Sequence, residues 1–546
     1  MKLRALTFTV LGIAGTASAG GLLLPGAGAV SSSRAGASVV AADDAEAISL
    51  NPAGIAHSSG TVITIGIAAI DYFMSMQRNG DYPLISQEST TYAGTRFPVV
   101  TNKVDPPLGI GSFQPVPMIG IVSDLGGRVP HLHVGFGLYA PNAYPFRDMT
   151  NVDGHEYQFN SDYNLPPPPN RYDIMKEQAA VILPSIDVAY SILPQLDVGA
   201  RFSAGFATLK SSVAVWGLQN DEEWIKQDGM FSVDASDSFI PTGALGANYR
   251  IDDHIEVGAN YTLPIIIHAK GNADPQNGPA VLIGTEPVAV TPVDDSVARC
   301  AKGGTPTSLK ACVDLEIPMT AQVGGRYKFL DQKGALKGDV ELDVGWEHWG
   351  ASCDYTKDPN CLDPSDFRVV VDGRVGTQMD PDGLAFKDTL IQHGFQDVYD
   401  VRLGGSWSFP LGDNAIIARG GVSYDTAAAK PGWERADLDG AARTMLAGGA
   451  SYQMAKLRFD AGFGVILEGT RSTTRDCLPT GAIGSQGCAP DGSEQPPNLR
   501  QGPDPINPIL GSGAGGQPDT QAEHPVNEGT YKSHYLFIML GASYKF

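Results

Sequence analysis

From about residue 61 to the last residue, apolar and polar side chains alternate with period two, as they do in strands with one apolar and one polar face. The end of the chain is the clearest case. Leu536, Ile538, Leu540, Ala542, Tyr544 and Phe546 fall on one side, and Gly541, Ser543 and Lys545 on the other. Leu196, Val198, Ala200, Phe202, Ala204 and Phe206 likewise oppose Asp197, Gly199, Arg201, Ser203 and Gly205. The pattern recurs in Val340, Leu342, Val344 and Trp346 against Glu341, Asp343, Gly345 and Glu347, and in Leu457, Phe459, Ala461, Phe463 and Val465 against Arg458, Asp460, Gly462 and Gly464. Fourteen such segments are predicted, at roughly 61–73, 116–124, 132–140, 179–192, 196–210, 242–250, 255–268, 316–330, 338–349, 398–410, 415–424, 443–454, 457–468 and 533–546.

Alternation alone also fits a soluble sandwich, and the connections separate the two readings. The links run long, short, long, short without exception. The short ones are Leu125–His131, Leu193–Gln195, Ile251–His254, Asp331–Lys337, Leu411–Asn414 and Ala455–Lys456. The long ones are 74–115, 141–178, 211–241, 269–315, 350–397, 425–442 and 469–532. Turns on one rim and loops on the other, with an even strand number, are the habit of an outer-membrane β-barrel. Closure also pairs every backbone polar group that lipid would otherwise leave unsatisfied. The expected fold is therefore all-β, a 14-stranded antiparallel transmembrane barrel over residues 61–546. Its lumen-facing positions collect charges of both signs, Arg201, Glu256, Glu341, Asp343, Glu347, Asp400, Arg402, Arg419, Arg458 and Asp460, which is expected to make a mutually satisfied polar interior.

Composition sharpens this picture. The 546 residues include 65 Gly and 19 Tyr with only 18% charged residues, which suits one large architecture of strands and turns better than several globular domains. Lys2, Arg4, an apolar run from Ala5 to Ala14 and Ala17-Ser18-Ala19 read as a signal peptide over 1–19, so the mature chain is expected to start at Gly20 in an exported protein. The formal net charge of −22 opposes nucleic-acid binding, which needs cations against phosphate. Six cysteines fall as three close pairs, Cys300 with Cys312, Cys353 with Cys361, and Cys477 with Cys488. Without C-x-x-C spacing or neighbouring His they read as three disulfides, all in the long, extracellular links. Pro166–Pro169 and the Gly/Pro-rich 479–520 read as loop.

Residues 20–60 are different, small and Gly-rich at first, then capable of one or two short helices within Arg34 to Leu50. They are too few for a domain of their own, and a barrel of this size leaves a lumen wide enough to hold them as a plug. Within them stand Ser31-Ser32-Ser33, Arg34-Ala35-Gly36, Ala42-Asp43-Asp44-Ala45 and Asn51-Pro52-Ala53. That ordered set resembles the hatch of the outer-membrane long-chain fatty-acid and hydrophobic-compound transporter family of the FadL/TodX type. The resemblance continues through Gly135-Phe136-Gly137-Leu138-Tyr139-Ala140-Pro141, Leu183 to Tyr190, Gly246 to Arg250, Ile317-Pro318, Trp346-Glu347-His348-Trp349, Gly420 to Asp425 and the terminal Gly541 to Phe546.

The family implies capture of an apolar substrate at the extracellular face and passage to a pocket beside the hatch N-terminus, here Leu22, Leu23 and Leu24. It implies lateral exit where the third strand kinks inward, here Gly135, Gly137, Ala140 and Pro141, and a hatch motif of Asp43, Asp44, Asn51, Pro52 and Ala53. Pro141 cannot donate to a ladder, although it also serves simply to end that strand and start link 141–178. The aliphatic hatch N-terminus departs from fatty-acid members of the family, which carry an aromatic there. Candidate carboxylate partners are Arg201, which faces the lumen, and Lys210, in the corresponding strand. Long-chain fatty acids are the expected substrates, monoaromatic hydrocarbons the alternative within transport, and an adhesin or receptor with disulfide-bonded loops, or a barrel enzyme, the alternatives outside it. Expected partners are the hydrophobic substrate, outer-membrane lipid and lipopolysaccharide, and the barrel-assembly machinery; the chain is expected to act as a monomer. No cofactor, metal site or catalytic residue is expected. Neither a G-x-x-x-x-G-K-[ST] loop nor an H-E-x-x-H helix occurs, and His131-Leu132-His133 has no third ligand nearby.

Overall fold

The alternating segments close on themselves. The computed structural model describes residues 21–84, 90–106, 108–159, 162, 164–215, 223, 225–278, 282–283, 286–292, 299–300, 309–350, 353, 361–377, 384–386, 388–430, 432–438, 440–473 and 526–546. Fourteen antiparallel strands form a closed barrel. They are β1 (Thr61–Arg78), β2 (Gln114–Ser123), β3 (Leu132–Tyr139), β4 (Lys176–Leu193), β5 (Leu196–Val215), β6 (Gly229–Arg250) and β7, in two halves Ile255–Thr262 and Ile265–Asn277. There follow β8, in halves Leu309–Ile317 and Thr320–Leu330, then β9 (Leu336–Glu347), β10 (Val398–Leu411), β11 (Asn414–Asp425), β12 (Arg443–Gln453), β13 (Leu457–Thr473) and β14 (Gly529–Lys545). Pro264 and Pro318, which lack the donor a ladder needs, stand at the breaks in β7 and β8. The seam is the long pairing of β1 with β14, from Val62↔Lys545 to Arg78↔Gly529.

The outward face is the one the alternation assigns to lipid. Ile538, Leu540, Phe202, Phe206, Leu342, Val344, Phe459 and Phe463 are all exposed. Tyr399 and Phe409 mark the two ends of this apolar band on β10. Ten residues of strand at about 3.3 Å each, tilted by about 40°, rise about 25 Å, the height of an outer-membrane apolar band. Near the short turns Tyr190, Tyr249, Tyr327, Trp407, Tyr452 and Tyr544 form an aromatic girdle.

Several strands run further into the long-loop side than the sequence suggests. β6 begins at Gly229 instead of near 242, and the segment Asp366–Thr377, which falls in predicted link 350–397, pairs with the upper half of β8. Above the bilayer the outer face has no lipid to meet, so the apolar alternation stops while the ladder continues. On β6 Asp234 and Ser236 take outward positions, and a register shift between Asp237 and Ile240 adds a change of phase.

Two of the three expected disulfides are seen. Cys312 lies in the upper half of β8, not in a loop, and is bonded to Cys300; Cys353 is bonded to Cys361 between β9 and β10. The third expected disulfide, between Cys477 and Cys488, is not among them. Both Cys477 and Cys488 lie outside the described residues, as do the expected signal peptide 1–19 and Gly20.

Candidate functional site: the plugged lumen and its cavity

Residues 21–60 lie inside the ring of strands. Two short helices, α1 (Ala29–Ser33) and α2 (Ala47–Leu50), and a 3-10 turn (Pro52–His57) are joined by irregular chain. Only α2 falls within the predicted segment Arg34 to Leu50, at its end, and α1 lies just before it. From Ser38 to Ala41 the backbone amides are taken by carboxylates of β9 and are not available to a helix. Ser38 and Val39 donate to Asp343 Oδ2 at 2.8 and 3.1 Å, and Val40 and Ala41 donate to the two Glu341 oxygens at 2.6 and 3.1 Å. Arg34 completes the contact with a two-pronged bond to Asp339, at 3.1 and 3.0 Å, and a third bond to Glu341 at 3.1 Å. Asp339, Glu341 and Asp343 alternate along one strand, so period two points all three at the plug.

Other wall residues hold the remaining turns. Arg201 donates to the carbonyls of Ile48 and Ser49, at 2.6 and 3.2 Å, and Arg458 pairs with Asp44. Glu46, within the plug, accepts the amides of Val30 and Ser31 at 2.9 and 2.8 Å. Asn51 donates to Val39 O and to Asn248 Oδ1, at 2.8 and 3.0 Å, while its own oxygen caps the turn through Ala53 N. Of the five hatch-motif residues, four are buried in this interface, and Asp43 is exposed, with its carbonyl accepting from the Ser58 hydroxyl.

Glycines shape the wall where the plug is seated. A Cβ at Gly199 would overlap Pro52 and Ala53, one at Gly246 would overlap Asn51, and ones at Gly404 and Gly421 would overlap the Arg34 carbonyl. Gly135 and Gly137 belong to the same set. Their missing side chains make room for Ile48, whose atoms would stand 3.1–3.4 Å from a Cβ. Both sit in unbroken pairing with β2 and β4. The reading of these two glycines as ladder-weakening kink residues is therefore corrected: they serve close approach of the plug.

The wall is interrupted two residues beyond Gly137. β3 stops at Tyr139, and Ala140–Pro145 turns inward, with Asn142, Ala143 and Tyr144 buried. Pairing with β4 resumes only at Phe146–Asp148. Across the gap, Ala140 N reaches Pro117 O at 3.4 Å and Ala179 N donates to Pro145 O at 3.0 Å. By alternation, Pro115 and Pro117 turn the same edge to the gap, and neither has an N–H to leave unsatisfied. Pro115-Val116-Pro117 was not singled out in the sequence, although two prolines at alternate positions of one strand were a usable signal for a wall edge without donors.

Behind the gap lies an apolar cavity of about 280 Å³. Its near side is Pro115, Pro117, Ala140, Pro141 and Ala179–Ile182, and its far side includes Phe231, Ile267, Val313, Val371 and Phe386. Leu22 forms part of its lining. The hatch N-terminus is held there by Leu24 N to Asn142 O at 2.7 Å, Asn142 Nδ2 to Pro25 O at 3.0 Å, and Arg443 Nη1 to Leu23 O at 2.9 Å. Leu22 and Leu23 pack against the Trp349 and Phe395 cluster, and Leu24 joins the cluster of Tyr72, Tyr144 and Tyr535.

Of the two candidate carboxylate partners, Lys210 is corrected by its strand face. It lies on the outside of β5, paired with Asp234 at 2.9 Å, with both side chains about two-thirds exposed. Arg201 does face the lumen, yet its guanidinium is engaged by the plug carbonyls below the cavity. Among the described residues, the charged side chains lining the cavity are Asp173, Glu177 and Asp437, all acidic. Also among the described residues, no group of three His, Cys, Asp or Glu is arranged to hold a metal ion.

Residues 154–483 match the family described as "Outer membrane protein transport protein (OMPP1/FadL/TodX)", which is more than half of the chain. No curated protein matches the chain by sequence. Among solved structures, a Pseudomonas aeruginosa FadL homologue superposes with a TM-score of 0.61 at 13% identity, covering 96% of this chain and 100% of that one. The Pseudomonas putida toluene transporter TodX gives 0.55 at 13%, covering 96% and 99%. The Ralstonia pickettii toluene transporter TbuX gives 0.55 at 13%, covering 96% and 99%. At such identities the likeness is one of fold.

Proposed function

Because this chain belongs to the OMPP1/FadL/TodX family of outer-membrane transport proteins, we propose that it moves hydrophobic small molecules passively across the outer membrane. A molecule captured among the extracellular loops enters the apolar cavity, displaces Gly21–Pro25 of the hatch, and leaves sideways through the gap between β2 and β4. One observation carries this reading: the cavity, the break in the wall and the hatch N-terminus meet at one place, with Leu22, Pro117, Pro141 and Val181 lining the same space. An apolar solute leaving there enters lipid directly and never crosses the charged plug, whose penetration would require desolvating or breaking buried ion pairs.

Two substrate classes are in view, long-chain fatty acids and monoaromatic hydrocarbons. A fatty carboxylate held in an apolar cavity needs a cation beside it. The engaged Arg201, the outward Lys210 and the acidic lining favour uncharged substrates over fatty acids.

Cysteines at Ala140→Cys and Val181→Cys, which line the same space, bridged by a bismaleimide, should abolish uptake of labelled toluene by intact cells. The two single-cysteine chains treated identically should keep it. Unimpaired uptake by the bridged chain would remove the lateral route. An adhesin would be indifferent to the bridge in this assay and show no uptake in any variant.

A further inference from the structure

Among the described residues, one acidic side chain that lines the cavity is used by nothing in the fold. Glu177 lies at the upper end of β4, in register opposite Arg147 and Ser211 on its two neighbouring strands, and lines the cavity. Asp173 and Asp437 line it too, but their oxygens are committed. Asp173 accepts from Ala436 N and pairs with Arg435 at 3.0 Å, and Asp437 pairs with Arg435 and His393 and accepts Leu438 N. Arg147, the nearest cation in register, donates to the carbonyls of Tyr144, Phe146 and Ala436, and its guanidinium lies 4.4 Å from the Tyr72 ring centre. Among the described residues, no hydrogen bond or ion pair engages the Glu177 carboxyl.

A carboxyl in apolar surroundings with no partner is destabilising where it stands, and a ligand that supplies a donor relieves that cost. A ligand carboxylate would instead add a second acid where no cation lines the cavity. We propose that Glu177 is the polar anchor of this cavity. The site then takes molecules with an apolar body and a hydrogen-bond donor at one end, a hydroxyl or an ammonium, in preference to carboxylates. The proposal rests on the transport reading above and narrows its substrate class.

The test uses the full mature chain in lipid nanodiscs, with a fluorescent apolar probe seated in the cavity and four competitors of equal chain length: dodecane, dodecanol, dodecylamine and dodecanoate. In the wild-type chain, dodecanol and dodecylamine should displace the probe at concentrations about tenfold below dodecanoate, the range expected of one hydrogen bond gained. Glu177→Leu should erase that preference while leaving dodecane unchanged. The near-isosteric Glu177→Gln, which spares the packing, should keep the response to dodecanol and lose the advantage of dodecylamine, separating a neutral donor from a cation. Equal or better displacement by dodecanoate in the wild type, or a preference that survives Glu177→Leu, would overturn the proposal. Failure of all four competitors, dodecane included, would overturn the transport reading itself, and the anchor with it.

Discussion

Arg34 illustrates what one residue does for the plug. Its guanidinium is buried and bonded to both Asp339 and Glu341, so Arg34→Ala would leave Glu341 buried without a cation, while Asp339 keeps Arg326 at 2.9 Å. Breaking a buried pair from one side costs about 3–5 kcal/mol. The expected outcome is a plug that visits the unseated state far more often, read as faster maleimide labelling of a Ser31→Cys reporter while the barrel stays folded. The direction of Arg201 and of Glu341 was legible in the sequence, because period two fixes the face a side chain takes. Their partners were not, because periodicity says nothing about which plug carbonyl or amide comes to meet a wall residue. Gly135 and Gly137 were misread for the same reason, since a missing side chain looks alike whether it loosens a ladder or admits Ile48.

A second residue-scale expectation concerns acid. Asp437 sits in the loop between β11 and β12. Burial opposes its ionisation, but Arg435 and His393 more than offset this and hold its carboxyl well below the usual carboxylate range. A depressed folded value means that the stabilisation is complete above the unfolded value, near 3.9, and is lost as pH falls through the folded one. Asp437→Asn should therefore loosen this loop at pH 7, seen as faster amide exchange around Arg435–Leu438. The difference from wild type should shrink only below about pH 4.

At the scale of elements, the wall between β2 and β4 loses its pairing beyond Tyr139. A strand facing lipid with an unpaired N–H is costly, and placing Pro115 and Pro117 on the β2 edge removes the donors in advance. Replacing both by valine restores two donors at that edge and favours extension of the β2–β3 ladder past Tyr139. The Pro115→Val/Pro117→Val chain should be at least as stable to heat in detergent as wild type and take up hydrophobic solutes several-fold more slowly. Pro141 was legible as a possible break, whereas the partner edge and the resumed pairing at Phe146–Asp148 were not, since both depend on contacts made across the chain. The fourteen strands were recoverable where lipid imposes alternation on the outer face, and their upper ends were lost where it does not.

For the whole molecule, the ring and its filling are separable. The β1–β14 seam is held by backbone pairing through Arg78↔Gly529, and α1 only packs on its inner face, so deletion of residues 20–33 should leave a barrel that still shifts on heating in gel electrophoresis. Planar-bilayer recordings should then show a new ohmic conductance, because a barrel of this strand number encloses an aqueous passage once α1 and the N-terminal run are gone. Fold class and the existence of a separate leading segment were readable from alternation, link lengths and composition. The cavity was not, because it is enclosed by residues contributed from across most of the chain, and no local window contains it.

The three acids of β9 place the plug's ion-paired attachment on one side of the tube, while the missing pairing at β3 lies elsewhere around it, beside Gly21–Pro25, which is held without an ion pair among the described residues. Attachment and exit are thus assigned to different sectors. On the proposed route a solute would push aside only a tethered flap of a few residues, and the carboxylate-gripped base would stay where it is. The cell envelope would then remain closed to water-soluble antibiotics even in the instant when an oily molecule slips out.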